Sequence, residues 1–139
     1  MPNLKLPPRR SDCPLNASLE IFGDRWTLLV VRDLMFGGRC SYRDFLKADE
    51  KIATNILAER LHRLEASGIV EKHRDVEDGR KINYRLTEKG IDLAPVLVEM
   101  IVWAARHEDT AAPPAVIHDM TVNRDTFIAG LRDRWKSGR

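Results

Sequence analysis

Apolar positions along this chain fall into runs with different periods, separated by short polar or glycine-containing breaks. Residues 15–22 can form a short helix, and Gly23-Asp24 then breaks it and lets Asp24 cap the next one. In residues 25–36, Trp26, Leu28, Leu29, Val30, Val31, Leu34 and Met35 leave little polar face, which predicts a helix crossing the centre of the core and ended by Gly37-Gly38. Residues 41–46 read as a short amphipathic helix with Ser41 as cap and Asp44 three positions later, a loose capping box. A charged turn, residues 47–51, leads into a helix over 53–67. There Leu57, Leu61 and Leu64 share one stripe at ~100° per residue, and Gly68 closes the helix. The two helices have the length and turn of a helix-turn-helix.

The period then changes. Residues 69–74 and 81–86 read as strands, with Val70, Ile82 and Tyr84 among charged neighbours and Asp78-Gly79 between them as a hairpin turn signal. A helix pair followed by a two-stranded hairpin is a winged helix. Thr87 caps a long helix predicted to run to about residue 106 and to be kinked near its start by Pro95. Leu93, Val96, Leu97, Met100, Ile101, Val102 and Trp103 project all around this helix, which marks it as an interface element. Residues 110–114 read as a linker, and 123–135 as a last amphipathic helix with Phe127, Ile128, Leu131 and Trp135 on one stripe.

With the leucine stripe facing the core, Asn55, Glu59 and His62 point outward, flanked by Ala58 and Arg63. Such a face suits a major groove: Asn reads adenine bidentately, Arg reads guanine, and Ala58 permits close approach. A solvated helix face is the competing reading. The wing weighs toward DNA, because its tip, Gly79-Arg80-Lys81, puts two adjacent cations on a tight turn suited to clamping phosphates.

Composition adds limits rather than direction. The 139 residues suffice for one hydrophobic core plus appendages, and the net charge of +2 comes from interleaved acids and bases, a weak pointer to nucleic acid. No apolar run approaches the ~20 residues of a membrane span, and no apolar segment follows the charged, Pro-containing start. The expected location is therefore the cytoplasm. Cys13 and Cys40 lack metal-site spacing, as do His62, His73, His107 and His118. With no phosphate loop, nucleophile elbow or paired carboxylates, neither catalytic residues nor a cofactor or metal is expected.

From Cys13 to Arg106 the chain resembles the HxlR-type winged-helix regulators, within the MarR-like superfamily. The similarity is carried by Cys13-Pro14, Gly23-Asp24-Arg25-Trp26 and Ser41-Tyr42-Arg43-Asp44-Phe45. It continues through Asn55, Leu57, Arg60, Leu61, Leu64, Glu65, Gly68 and Val70, then Tyr84-Arg85-Leu86-Thr87, Gly90 and Leu93-Ala94-Pro95. Two positions depart from the family pattern. Ala53 stands where a Ser usually opens the recognition helix, leaving capping to Thr54, and the wing tip Asp78-Gly79-Arg80-Lys81 is closer to a MarR-type wing.

The expected fold is α+β and mostly helical: a winged helix-turn-helix with a two-stranded β-wing and added N- and C-terminal dimerisation helices. Its divisions are an extended or disordered arm (1–12), the winged-helix domain (13–107), and a linker with a C-terminal dimerisation helix (108–139). The expected function is sequence-specific, homodimeric binding of double-stranded DNA at a palindromic operator, open to a small-molecule or electrophile effector. A winged-helix protein-interaction module without DNA binding is the alternative. The residues and the resemblance together assign DNA contact to Arg39, Ser41, Tyr42, Arg43, Thr54, Asn55, Ala58, Glu59, His62, Arg63, Arg80 and Lys81. Dimer contact falls to Leu19, Leu97, Met100, Ile101, Trp103, Phe127 and Leu131. The resemblance also implies a redox or electrophile sensor at Cys13, with the cations Arg9 and Arg10 close in sequence. A plain packing role for Cys13 stays open, as do a cross-dimer disulfide or an inert role for Cys40.

Overall fold

The computed structural model describes residues 6–138, so the start of the expected arm, residues 1–5, lies outside the described residues. The chain forms two compact units, residues 1–90 and 91–139. In the first, α1 (Pro14–Phe22), α2 (Thr27–Met35), α3 (Tyr42–Leu46) and α4 (Thr54–Ala66) are followed by β1 (Val70–Arg74), β2 (Ile82–Leu86) and the start of a one-turn helix, α5 (Glu88–Ile91). Three helices, α6 (Ala94–His107), α7 (Pro114–Val122) and α8 (Arg124–Lys136), pack on one another in the second.

The helix ends follow from local chemistry. One carboxylate oxygen of Asp24 accepts the N–H groups of Trp26 at 2.7 Å and Thr27 at 3.0 Å, so Asp24 caps the turn that opens α2. Ser41 and Asp44 form the full capping box at α3: Ser41 Oγ accepts Asp44 N at 3.2 Å, and Asp44 Oδ2 accepts Ser41 N at 3.2 Å. The expected cap of α4 is different. Thr54 is already inside the helix, and its cap residue is Ala53, which has no side-chain oxygen to offer. At its other end, Gly68 takes φ +78°, with Gly68 N on Glu65 O and Ile69 N on Leu64 O, the paired bonds of a Schellman termination.

The strands are each one residue shorter than predicted, and they pair antiparallel from Val70 opposite Leu86 to Arg74 opposite Ile82. Asp78-Gly79 does make a tight turn, with Lys81 N on Asp78 O at 2.9 Å, but as the tip of a longer loop over residues 75–81. Beyond β2 the single kinked helix is corrected to two. Thr87 Oγ1 caps only α5 by accepting Gly90 N at 3.1 Å, the helix stops at Ile91, and α6 restarts with Pro95 in its first turn. Proline lacks the N–H a continuous helix would need there, whereas a first turn does not use it. Residues 110–113 are free of helix and strand, as expected of a linker, but Pro114 already opens α7, a helix in a stretch to which the sequence assigned no element and of whose apolar side chains only Met120 is buried.

The core of the first unit gathers Val30 and Val31 of α2, Phe45 of α3, Leu57, Leu61 and Leu64 of α4, and Val70 and Leu86 from the wing. Gly90 sits so close to the carbonyl of Ile69 and the side chain of Leu86 that a Cβ would collide with both. The backbone after the wing can lie against its base only because that residue is glycine.

Candidate nucleic-acid interface

The leucine stripe anchors α4 and fixes what its opposite side shows. Leu57, Leu61 and Leu64 are at most 2% exposed, while Thr54, Asn55, Ala58 and Glu59 are exposed and His62 and Arg63 are half-buried. Several of these polar groups are already engaged. Tyr42 donates its hydroxyl to Thr54 O at 2.7 Å, tying α3 to the first turn of α4. Glu59 is paired with Arg60 and lies 3.7 Å from Arg63. The Arg63 guanidinium also reaches Glu20 O of α1 at 3.4 Å, so its charge is held along the flank of the helix.

Arg60, one of the positions that carry the family resemblance, fixes α4 against the turn before α2. Its Nε donates to Asp24 Oδ1 at 3.1 Å, so the carboxylate that closes the turn opening α2 also holds α4. Burial opposes the charge on Asp24, but hydrogen bonds from the Thr27 hydroxyl, the Trp26 and Thr27 amides and Arg60 outweigh it and hold its carboxyl at about 2. A second network ties α2 to the turns on either side of α3. Arg32 donates to Glu50 at 2.7 and 2.9 Å and to the buried Asp33 at 2.9 Å, and its hydrogen bonds hold the Glu50 carboxyl at about 2. Arg39 leans on the same Asp33 at 3.4 Å. Ser41 is buried, and its hydroxyl is taken up by the α3 cap.

The wing is stitched to this helix pair. Tyr84 N donates to Cys40 O at 2.7 Å, Ser41 bridges Asn83, and the rings of Phe45 and Tyr84 lie 6.1 Å apart. Between the start of α3 and the wing opens a cleft of about 690 Å³ lined by Arg43, Arg80 and Lys81 beside Tyr42 and Tyr84, with one acid, Asp78, 3.5 Å from Arg80. Arg80 is almost fully exposed, its side chain 94% accessible. An outward polar helix face, tied through Tyr42 to a cleft in which three cations outnumber one acid, offers the chemistry of a groove with its phosphates alongside.

The remaining candidates divide between surface and core. Leu19, Met100 and Trp103 are more than half exposed, at 53%, 53% and 61%. Ile101 and Phe127 are half-buried, whereas Leu97 and Leu131 are buried and belong to the core. Cys13 is exposed immediately before α1, and Cys40 is half-buried, its thiol pushed up by burial and by the carboxylate of Asp44. Among the described residues no group of His, Cys, Asp and Glu could hold a metal ion, and no helix is long and apolar enough to cross a membrane.

The family model described as HxlR-like helix-turn-helix matches residues 21–112. The HTH-type transcriptional regulator YodB of Bacillus subtilis (strain 168) is 37% identical over 93 residues, covering 66% of this chain and 82% of the relative. Among solved structures, the protein PA1607 superposes with a TM-score of 0.66 at 35% identity, over 75% of this chain and 71% of the other. The redox regulator HypR in its oxidised form gives 0.60 at 30% identity, over 70% of this chain and all of the other (100%).

Proposed function

Because the chain belongs to the HxlR-like helix-turn-helix family of transcriptional regulators, we propose that it binds a palindromic operator as a cytoplasmic homodimer, with α4 in the major groove and the wing on the flanking backbone. The observation that carries this reading is Tyr42, which lines the cleft that gathers Arg43, Arg80 and Lys81 and donates its hydroxyl to Thr54 O, next in sequence to the exposed Asn55 of α4. Asn55 and His62 read base edges, Ala58 lets the backbone approach, and Thr54, Tyr42 and Arg43 set the helix against phosphates. Replacing Arg80 and Lys81 together with Ala is expected to weaken binding to every duplex and flatten the slope of log K against log[salt] by ~2, one per lost phosphate contact. A slope that matches wild type would take the wing out of the interface.

The dimer uses the exposed apolar side chain Leu19 of the first unit and, in the second, the exposed Met100 and Trp103 with the half-buried Ile101 and Phe127, while Leu97 and Leu131 hold the core of that second unit. Cys13 serves as a thiol sensor at this assembly. Its exposure just before α1 supports that role, and among its relatives YodB has been solved reduced, diamide-treated and quinone-bound. Diamide is expected to abolish operator binding by the wild type and to leave Cys13→Ser binding intact; equal loss in both would end the sensor role.

A further inference from the structure

The loop that carries Arg80 and Lys81 is long for a hairpin connection, holds the fully exposed Val76, and includes the acids Asp75, Glu77 and Asp78 beside its two cations. Left to chain entropy, such a loop would present its cations in many arrangements and lose that freedom on meeting DNA. It is cinched at one point. Asp75 Oδ1 accepts the amides of Glu77 at 2.9 Å and Asp78 at 3.0 Å, and Asp75 Oδ2 accepts the side-chain amide of Asn83, across the hairpin on β2, at 2.9 Å. Asp75 N donates to Lys81 O at 2.8 Å, closing the base of the loop, and Asp78 Oδ1 accepts Arg80 N at 3.0 Å at its tip. Arg74 adds a strap from the strand, donating to Gly79 O at 2.6 Å. The other end of the Asn83 amide, Oδ1, is buried with no hydrogen-bond partner, so the orientation of this side chain is set by its bond to Asp75.

We propose that Asp75 and Asn83 are positioning residues that preorganise the wing tip for phosphate binding, an inference that rests on the DNA-binding reading above. Electrostatics alone predicts the reverse: an acid beside phosphates should repel them, and removing it should tighten binding. The hydrogen-bond geometry predicts weakening. In Asp75→Asn, either two side-chain NH2 groups face each other across the hairpin or the Asn83 amide turns over and buries its own NH2 without a partner; in Asn83→Asp, two carboxylates face each other. Exchanging the pair restores one acceptor facing one donor while leaving the net charge at the wild-type value.

The test is a duplex-binding cycle over wild type, D75N, N83D and the double D75N/N83D, with amide hydrogen exchange at Glu77 and Asp78 measured without DNA. Each single substitution is expected to lose roughly tenfold in affinity on operator and random duplex alike, and the double to recover most of it. The two amides should exchange fast in Asp75→Ala and stay protected in wild type. Unchanged or tighter binding by D75N, or a double that binds no better than the singles, overturns the proposal; so does exchange in Asp75→Ala that matches wild type. If the wild type itself binds no duplex while its amides are protected and those of Asp75→Ala are not, the organised tip stands and the DNA-binding reading is what fails.

Discussion

Met100→Lys is expected to convert the protein to a monomer and to drop operator binding toward the level of random duplex, a loss on the order of a thousandfold. The size follows from symmetry: a dimer spends one docking event on two half-sites, and a monomer holds one half-site with one recognition helix. Met100 is 53% exposed on α6, one turn from the still more open Trp103, so a lysine there can reach water in the free chain and the fold should survive. In a dimer seam the same ammonium would be buried without a partner. Light scattering and circular dichroism together decide the matter. A folded variant that still runs as a dimer would move the interface to another face.

The second large effect separates the two sides of α4. Leu57→Ala empties a site that is 0% exposed and should cost about 2–5 kcal/mol, a substantial part of the ~5–15 kcal/mol typical of a whole domain. Denaturant midpoints should fall accordingly. Two residues away, Asn55→Ala should change stability by less than about 0.5 kcal/mol, yet cost ~1–3 kcal/mol on the operator and nothing on random duplex. Equal losses on both duplexes would show that Asn55 touches backbone rather than base.

The contrast between these positions was legible before any coordinates, because a period of 3.6 with leucine at 57, 61 and 64 leaves only one outward face. The capping box at Ser41, the cap at Asp24 and the stop at Gly68 were equally local, and they appear as read. What escaped the sequence is of two kinds. Helix boundaries around prolines depend on whether the ring falls inside a helix or in its first turn; Pro95 sits in the first turn of α6 where a kink was expected, and Pro114 opens α7 where the linker was expected to end. The other kind is long-range pairing. That Arg60 would reach Asp24, or Asn83 would reach Asp75, depends on how elements 36 and 8 residues apart fold together, which no periodicity encodes. Exposure also corrected emphasis within the candidate sets. Ser41, read as a DNA contact, is buried in its own cap, and Arg63 is turned toward α1.

Selection of bound duplexes from a random DNA library by the purified wild-type protein tests the central claim most directly. The account predicts enrichment of one inverted repeat whose half-sites are centred roughly 10 base pairs, or a multiple of that, apart, matching two α4 helices related by a two-fold axis. Recovery of unenriched sequence, or of a single unrepeated site held by a monomer, would contradict it.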